Sequence, residues 1–312
     1  MLTSFLLDPI AGLSQTGGVL AVTTGVEGSA YRPMGAAMAF LSDGTRIGSL
    51  SSGCIEEALA DEAGHALTEG SFRQVRYGEG SPWIDIKLPC GAGLDVSLWP
   101  TGRKGILSDS ASQLAAREPH ALHLPAGGLD DATTAPLAHA QWTDDVFVLP
   151  RIPPLRFLVI GTGLETILFA EMARASGYIA DVVSPDPFVQ AAMKGAAPLA
   201  SDRLPPSTAI DQQTAVVFFF HEHTYETGLL QSALQSPAFW IGAQGSKRKR
   251  DLRQDELKAA GLDKIAVERI APHFGTIPSA RDPQTLAVSV LADVVGAYKA
   301  AWCDPYFGSV KA

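Results

Sequence analysis

Short strands built almost entirely from apolar residues recur through the second half of the chain. They lie at 156–163 (RFLVIGTG), 215–224 (AVVFFFHEHT) and 239–246 (FWIGAQGS), and stretches with helical periodicity separate them. Strands that are apolar on both faces are typical of a parallel sheet that helices cover on each side. Residues 155–312 are therefore predicted to form a Rossmann-like C-terminal domain of the α/β class, with a doubly wound parallel sheet.

The beginning of the chain predicts an α+β domain instead. The segments 17–26 (GGVLAVTTGV) and 35–50 (GAAMAFLSDGTRIGSL) have strand-like alternation. Between the strands of the second segment, SDGT at 42–45 supplies the Asp-Gly turn that lets two strands pair antiparallel. Apolar positions at helical spacing predict a helix over 55–68.

Residues 101–154 separate these two regions. Proline, alanine and histidine are scattered through them with weak periodicity, and they end in LPRIPP, a composition that indicates a linker. A chain of 312 residues also exceeds the size at which a single hydrophobic core is comfortable. We therefore predict an N-terminal domain over 1–100, a variable region and linker over 101–154, and the C-terminal domain over 155–312.

The composition argues against several classes of partner. A net charge of −9 disfavours a general nucleic-acid binder or a binder of anionic membranes, since both use a broad basic surface. No apolar run approaches the roughly 20 residues that span a bilayer, and the first residues lack the basic flank of a secretory signal. Cys54, Cys90 and Cys303 form an odd and sparse set, which indicates reduced thiols. We expect a soluble, cytoplasmic protein.

Gly161 and Gly163 follow the first apolar strand and precede a helix, where glycines let a nucleotide pyrophosphate approach the backbone. Thr166 replaces the third glycine of this fingerprint. The second strand ends at Ser184, so that Asp186 comes two residues later than the usual ribose-binding acid. Two interpretations stay open: an NAD(P)-dependent oxidoreductase, or an ordinary strand-to-helix turn of the fold.

His221, His223 and Glu226 lie just past the carboxyl end of an apolar strand, where open α/β sheets bind ligands. A His-x-His pair can bind a metal ion, although no cysteine or further ligand is near in sequence. Three interpretations stay open: a metal-dependent hydrolase, a ligand-lining role for His221, and a simple exposed loop.

The stretch GAQGSKRKRDLR combines small residues with the basic start of a helix. Gly242, Gly245 and Ser246 precede a run of cations that begins with Lys247 and Arg248. Free backbone N–H groups beside cations favour a phosphate, so this stretch predicts an anion pocket. The alternative is a solvated helix face.

Cys54 lies in the sequence GSLSSGCIEEALADEA, directly before the helix predicted from Ile55. The dipole of that helix would stabilise a thiolate at its start. Glu56 and Glu57 oppose a thiolate, and a free cysteine is often a small buried hydrophobe. The local sequence therefore leaves Cys54 open between a functional thiol and a packing residue.

Several motifs occur in an order that a known protein family shares. They are GSAYRPMGAAM with Arg32, GSLSSGCIEEAL with Gly53 and Cys54, LPCGAGLDV with Cys90, FFHEHTYE with His221, GAQGSKRKRDLR with Gly242, Gly245, Ser246 and Arg248, and ERIAPHFGTIPSARDPQTLAVSVLADVV. Together they resemble the XdhC/CoxI family, the accessory proteins of molybdenum hydroxylases such as xanthine dehydrogenase. Ser52 and Ala92 stand where the family has glycines, and the resemblance covers most of the chain except about 101–154.

This resemblance implies a carrier and insertion chaperone rather than a turnover enzyme. Such a protein holds the molybdenum cofactor, a molybdopterin, presents it for sulfuration by a cysteine desulfurase, and delivers it to an apo molybdenum hydroxylase of the xanthine dehydrogenase type. The soft, dithiolene-bound molybdenum would suit thiolates such as Cys54 and Cys90. Glu56 and Glu57 are then interpreted as helix-start acids that stabilise the turn with Cys54. The terminal phosphate of the pterin would need an anion pocket, which 242–250 and the turn at 161–163 would supply.

The resemblance also implies which residues act on the cofactor. We expect the motif residues named above to bind it, and no residue to act as a turnover catalyst or as a separate metal ligand. We further expect a homo-oligomer without a nucleic-acid or membrane partner.

Overall fold

The computed structural model describes residues 7–28, 30–51, 53–81, 91, 93–101, 105–205, 208–220 and 225–308. The chain divides into two compact units. Unit 1 comprises Met1–Pro153 together with Ala301–Ala312, and unit 2 comprises Pro154–Ala300. The boundary between Pro153 and Pro154 lies within the LPRIPP sequence.

An antiparallel sheet of five strands forms the first part of unit 1. Its strands and the two helices that pack on it are α1 (Pro9–Thr16), β1 (Gly18–Glu27), β2 (Ala37–Leu41), β3 (Arg46–Gly48), α2 (Glu56–Glu69), β4 (Arg73–Gly78) and β5 (Gly93–Pro100). The order across the sheet is β3-β2-β1-β5-β4. The predicted Asp-Gly hairpin is confirmed, since β2 and β3 pair antiparallel and Gly44 in the turn has a left-handed φ of 85°.

The two helices cover opposite faces of this sheet. Leu13 of α1 clusters with Leu20 of β1, whereas Leu59 of α2 clusters with Val19. Neighbouring residues of β1 therefore face different helices, as the alternation of side chains along a strand requires. The helix predicted over 55–68 is confirmed in α2.

Residues 105–151 form a further helix and sheet in place of the linker predicted over 101–154. Its elements are α3 (Gly105–Ala115), β6 (His120–Pro125), β7 (Thr133–Ala135), β8 (Gln141–Thr143) and β9 (Val146–Arg151). The strands are antiparallel in the order β7-β6-β9-β8. Leu107 and Phe147 belong to the same buried cluster as Leu20, so this region is part of the core of unit 1. β7 and β8 have three residues each, too few to show an alternating pattern in the sequence.

Unit 2 contains the predicted doubly wound parallel sheet. Its strands are β10 (Arg156–Gly161), β11 (Ile179–Ser184), β12 (Ala197–Pro198), β13 (Thr214–Phe219) and β14 (Trp240–Ala243). Neighbouring strands pair in parallel, in the order β12-β11-β10-β13-β14. The strand order reverses beside β10, so the topological switch point lies between β10 and β13.

Helices cover both faces of this sheet. They are α4 (Gly163–Ala175), α5 (Pro187–Ala192), α6 (Glu226–Gln235), α7 (Lys247–Ala259), α8 (Lys264–Glu268) and α9 (Pro283–Tyr298). Phe169 of α4 and Val290 of α9 share a buried cluster with Phe157. Leu229 of α6 and Leu257 share a second cluster with Leu158, the next residue of β10, so two cores lie on opposite faces.

The chain closes on a long apolar helical run. The run Pro283–Phe307, which includes α9, a π-helical segment (Lys299–Cys303) and α10 (Asp304–Phe307), is long and apolar enough to cross a membrane. Val290 and Val294 of this run are buried in the core of unit 2. A helix in a protein core can be as long and as apolar as a membrane-spanning one, so length and composition are weak evidence for a membrane span. Asp282 caps α9 by accepting a hydrogen bond from Thr285 N (2.7 Å), and Pro283 is the first residue of the helix, a pair of residues that marks a helix start in a sequence.

Candidate functional site

Several connecting segments of unit 1 begin or end at one edge of the first sheet. The antiparallel register pairs Gly93, at the start of β5, with Glu27 at the end of β1 and with Gly78 at the end of β4. β3 ends at the same edge, because Gly48 pairs near the start of β2. The chain between β4 and β5, which contains Cys90, therefore leaves and rejoins the sheet at this edge. Cys90 itself lies outside the described residues.

Arg32 and Cys54 lie on segments that leave this edge. Arg32 is in the connection from β1 to β2, its side chain is exposed, and it forms no hydrogen bond or ion pair within the part of the chain that the structure describes. Cys54 is in the connection from β3 to α2 and is an exposed, free thiol. The structure therefore places these two predicted site residues at the same end of one sheet.

The carboxylate of Glu56 organises the segment that carries Cys54. Six hydrogen bonds reach it from this segment. Their donors are the hydroxyls of Ser49 and Ser51 and the backbone N–H groups of Leu50, Ser51, Gly53 and Ile55. Gly53 and Ile55 flank Cys54, so the carboxylate holds the backbone on both sides of the thiol. Gly53 adopts a left-handed φ of 107°, which explains the glycine before the cysteine.

The two acids that follow Cys54 have different partners. Glu56 is buried, and burial alone would raise the pKa of its carboxyl, but the hydrogen bonds from Ser51 and Ser49 outweigh burial and lower the pKa to about 2. Glu57 is exposed and pairs with Arg46, whose Nη1 lies 2.7 Å from Glu57 Oε1. Both carboxylates that follow Cys54 in the sequence therefore have partners: hydrogen-bond donors of the preceding segment for Glu56, and Arg46 for Glu57.

Ion pairs join the strand ends at this edge. Arg76 Nη1 lies 3.0 Å from Asp95 Oδ2, and Arg76 Nη2 pairs with Glu27. These residues belong to β4, β5 and β1, so one guanidinium connects three strands. The arrangement stabilises the frame from which the segments with Arg32 and Cys90 depart.

In unit 2, the turn that contains Gly161 and Gly163 lies at the switch point. A Cβ on Gly161 would lie 2.3 Å from Phe219 O, so the close approach of β10 and β13 requires this glycine. Gly163 N donates to Asp186 Oδ2 (3.1 Å), and Asp186 Oδ1 accepts from Phe188 N (2.9 Å). The Asp186 carboxylate therefore accepts the hydrogen bond that the N–H group of Gly163 would donate to a pyrophosphate. This geometry does not favour the NAD(P) alternative.

The turn from β14 to α7 contains the predicted anion pocket. Gly242 lies within β14, where a Cβ would meet the ring of Trp240 at 2.1 Å, so this glycine serves strand packing. Ser246 is the N-cap of α7, and its Oγ accepts a hydrogen bond from Lys249 N (3.3 Å). Arg248 is exposed and has no partner among the described residues. No acid lies in the first turn of α7, so its N-terminus favours an anion.

Glu226 is the centre of a buried ion-pair network in unit 2. Its Oε1 lies 2.8 Å from Arg253 Nη2, and its Oε2 lies 3.5 Å from Lys249 Nζ. Arg253 also donates to the backbone O of Gln244 (2.8 Å), and Lys249 donates to the backbone O of Phe220 (2.6 Å). Glu226 thus neutralises two cations that connect α7 to the ends of β13 and β14.

This network bears on the predicted metal site. His221 and His223 lie outside the described residues, and Glu226 is engaged by Arg253 and Lys249. Within the described ranges, no group of three or more His, Cys, Asp or Glu residues is placed to hold a metal ion. The described geometry therefore does not favour a metal-dependent hydrolase.

A cavity of about 470 Å³ opens beside this network, at the carboxyl ends of β13 and β14. Phe220, Gln244 and Lys249 line it, together with Gly245 and Ser246 of the predicted site. Lys249 belongs to the run of cations in the predicted anion pocket, whereas the sequence analysis missed Gln244 in the same GAQGSKRKRDLR motif. The hydrogen bonds of Glu56 agree with its interpretation as an acid that stabilises the turn before α2. The signal in the sequence is an acid directly after a run of serine and glycine donors.

Two family models match the chain. The model of the XdhC and CoxI family matches residues 13–78, and the model of the XdhC Rossmann domain matches residues 157–294. A crystal structure described as a xanthine dehydrogenase from Bacillus halodurans shares the fold, with a TM-score of 0.72 and 21% sequence identity. That similarity covers 96% of this chain and 98% of the other.

Two named proteins are also similar over most of their length. The chain is 34% identical over 282 residues to the molybdenum cofactor insertion chaperone PaoD of Escherichia coli (strain K12), which covers 90% of this chain and 84% of PaoD. It is 24% identical over 323 residues to a probable xanthine dehydrogenase subunit of Bacillus subtilis (strain 168), covering 89% and 92% of the two chains. The matched motifs, domains and relatives agree, and the chain belongs to the XdhC and CoxI family.

Proposed function

We propose that this chain binds the molybdenum cofactor and assists its insertion into a molybdenum hydroxylase of the xanthine dehydrogenase type. The observation that carries the proposal is the 34% identity to PaoD, a molybdenum cofactor insertion chaperone, over 84% of that relative. The cofactor is the cargo in this role, so the chain needs to hold it, protect it and release it.

Cys54 is the residue that we assign to the metal end of the cofactor. Its thiol is exposed, and the hydrogen bonds of Glu56 to Gly53 and Ile55 hold the backbone on either side. The start of α2 follows directly, and the dipole of a helix N-terminus favours a thiolate, whereas the charges of Glu56 and Glu57 in the first turn oppose one. Sulfur ligands suit a soft metal centre, so an exposed and preorganised thiol fits this cargo.

Arg32 is the proposed partner for an oxyanion of the cargo in unit 1. Its guanidinium is exposed at the same sheet edge as Cys54 and has no partner among the described residues. A free guanidinium binds phosphate through two parallel hydrogen bonds.

The other predicted residues contribute in different ways. In unit 2 we propose Gly245, Ser246 and Arg248 as an anion site at the start of α7, because no acid opposes it there. Gly161, Gly163 and Gly242 support the backbone through close packing or a left-handed φ, which is 73° at Gly163. Cys90 and His221 belong to the proposed set through the family motifs alone.

The client in this proposal is an apo molybdenum hydroxylase, and a cysteine desulfurase supplies sulfur to the bound cofactor before transfer. One relative carries the name of a probable xanthine dehydrogenase subunit, which supports a client of that type. The proposal includes assembly of the chain as a homo-oligomer in the cytoplasm.

Cofactor retention tests the proposal. We would purify the wild type, Cys54→Ala and Cys303→Ala from cells that make the cofactor, and measure molybdenum by elemental analysis and the pterin by fluorescence after oxidation. The wild type is expected to retain both components. The amounts of molybdenum and pterin retained by Cys54→Ala should be at least about tenfold lower than in the wild type. Cys303→Ala, which changes a cysteine that is only partly exposed, should match the wild type.

Two results would contradict the proposal. Wild-type protein that carries neither molybdenum nor pterin would overturn cofactor binding, and undiminished retention by Cys54→Ala would remove Cys54 from the site. Insertion is tested separately by mixing loaded chain with an apo-hydroxylase. An unchanged hydroxylase activity would contradict the chaperone role.

A further inference from the structure

The cavity at the carboxyl ends of β13 and β14 has the features of a small-molecule site. Its volume of about 470 Å³ falls in the range of roughly 300–1,000 Å³ that is typical of ligand pockets. Parallel sheets bind ligands at this end of their strands. The turn with Gly161 and Gly163 does not line the cavity. In that turn, Gly163 N already donates a hydrogen bond to the Asp186 carboxylate.

One wall of the cavity is aromatic and apolar. Phe220 directly follows β13, and Phe274 lines the cavity from the segment before α9. The Phe274 ring packs edge-on against Phe219, with 5.3 Å between the ring centroids, and lies 6.3 Å from the Trp240 ring. These neighbours fix the orientation of Phe274, so the wall offers a firm flat surface to a planar ligand.

The segment that carries this wall is held in place by α9. Ile277 N donates to Ser289 Oγ (2.7 Å), and Gly275 N donates to Asp293 Oδ2 (3.1 Å). Ser279, which also lines the cavity, has a left-handed φ of 57°, an uncommon conformation for a residue other than glycine. Such strain persists where the surrounding structure imposes it and is concentrated at binding sites. The wall is therefore preformed.

Gln244 supplies an unused hydrogen-bond acceptor in the lining. Its Oε1 is shielded from solvent and accepts no hydrogen bond from the residues that the structure describes. Its backbone O is held by Arg253 at 2.8 Å, which limits how far the residue can move. Buried polar atoms are nearly always paired, and rotation of the Gln244 side chain, which lines the cavity, would present this oxygen to a donor of a ligand. An amino group on a heterocyclic ring is such a donor.

The opposite end of the cavity favours an anion. Gly245 and Ser246 line it at the start of α7, a helix of 13 residues with no acid in its first turn. The first N–H groups of a helix lack intrahelical partners and bind phosphate. The Lys249 side chain lies alongside, anchored to Phe220 O at 2.6 Å.

We propose that this cavity binds a phosphorylated planar heterocycle that bears an amino group. The ring packs against Phe220 and Phe274, the amino group donates to Gln244 Oε1, and the phosphate lies at the start of α7. A purine nucleotide and the pterin end of the molybdenum cofactor share this chemistry. Binding of the pterin rests on the proposed function, and binding of a purine nucleotide is independent of it.

Calorimetric titration of the full chain tests the site with probes that differ in one group. They are guanosine monophosphate, inosine monophosphate, which lacks the amino group, guanosine, which lacks the phosphate, and neopterin monophosphate. Guanosine monophosphate should bind about tenfold more tightly than either of its two analogues, since each lacks one hydrogen-bonding group. Tighter binding of neopterin monophosphate than of guanosine monophosphate would assign the cavity to the cofactor, and the reverse order would assign it to a free nucleotide.

Gln244→Met, which keeps the volume and removes the acceptor, should lower the affinity for guanosine monophosphate to that for inosine monophosphate. Its affinity for inosine monophosphate should stay within about twofold of the wild type, which also shows that the variant is folded. Gln254→Leu, at an exposed position of α7, the helix that follows Gln244, is the matched control and should behave as the wild type.

Three results would overturn the proposal. They are no heat from any probe at millimolar concentration, equal affinities of the wild type for guanosine monophosphate and inosine monophosphate, or an equal loss of affinity for these two nucleotides in Gln244→Met. The titrations use no molybdenum and do not involve Cys54. Their failure would therefore leave the cofactor-retention result standing, and failure of cofactor retention would leave the nucleotide result standing.

Discussion

The Glu56 carboxylate accepts hydrogen bonds from both the hydroxyl and the backbone N–H of Ser51. This pairing closes the segment between β3 and α2 around a buried charge, with Cys54 on its outer side. The segment is thereby held by a residue of the helix that follows it. The position of the thiol depends on the charge of Glu56.

Replacing Glu56 tests this dependence. Glu56→Gln keeps the size of the side chain but loses the charge and brings an amide group against backbone donors, so we expect a loss of about 2–3 kcal/mol of unfolding free energy. Urea denaturation measures it. Glu57→Gln, which removes the exposed pair with Arg46, is the control and should leave the urea midpoint nearly unchanged. Equal midpoints for the two variants would contradict the role of Glu56.

The pKa of Glu56 predicts how stability depends on pH. Burial opposes the charge, but the bonds from Ser51 and Ser49 lower the pKa from 4.5 to about 2 in the folded chain. The unfolded chain therefore binds the proton more readily between these values. The contribution of Glu56 to stability is fully present above pH 4.5 and is lost as the pH falls towards 2. Unfolding free energies over this range should fall more steeply for the wild type than for Glu56→Gln.

His120 predicts a second pH dependence, in a higher range. Burial and the charge of Arg151 lower the pKa of its imidazole below 6.5, and the ring contacts Ser110 Oγ at 2.7 Å. The stability that depends on neutral His120 is present above pH 6.5 and is lost as the pH falls through the lowered pKa. His120→Gln should flatten this part of the stability profile. His65→Gln, at an exposed site, should leave the profile as it is.

Breaking the Glu226 network should cost far more than breaking a surface pair. Glu226→Gln leaves buried Arg253 without its countercharge, so we expect a loss of about 3–5 kcal/mol. The double variant Glu226→Leu with Arg253→Met should recover part of this loss, because no buried charge is then left unpaired. Thermal unfolding of the single and double variants measures both. Glu268→Gln, which removes the exposed pair with Lys264, is the control. Similar shifts of the melting temperature in Glu226→Gln and Glu268→Gln would contradict the importance of the buried network.

Two glycines should respond to alanine in opposite directions. A Cβ at Gly161 would lie 2.3 Å from a backbone oxygen, so Gly161→Ala should destabilise the protein by about 2 kcal/mol or more. Gly64 lies in α2 with open space around its Cβ position, and Gly64→Ala should stabilise the chain by about 0.5–1 kcal/mol. Melting temperatures of the two variants test the assignment of Gly161 to packing, which a rise for Gly161→Ala would refute.

Strong local patterns carried much of the fold prediction. β13 shows this clearly: all of Thr214–Phe219 are buried, and only a strand covered on both faces has such a run. Asp282 and Pro283 likewise marked the start of α9, because a cap and a fixed φ act within one turn. The region from 101 to 154 lacked such signals, since its short strands are stabilised by distant residues such as Trp99.

The site was harder to predict, because its residues act through tertiary contacts. Glu226 was grouped with the histidines beside it in sequence, but its partner Arg253 lies 27 residues further on. Glu56 was interpreted as an acid that stabilises the turn before α2, but the six donors that the folded loop turns towards its carboxylate were not predicted. A sequence pattern gives the type of a polar group, whereas its partners depend on how distant segments meet.

The strands at the margins of these sheets limit how the chain can meet another protein. β3 and β12 have three and two residues, and on the opposite margins β4 carries Arg73 and Arg76 in ion pairs while Ile270 bridges to β14. Short or charged margins resist the addition of a foreign strand. A client enzyme or a second copy of the chain should therefore be recognised by side chains on loops and helices, and mutations that alter recognition should cluster there and spare the strand backbones.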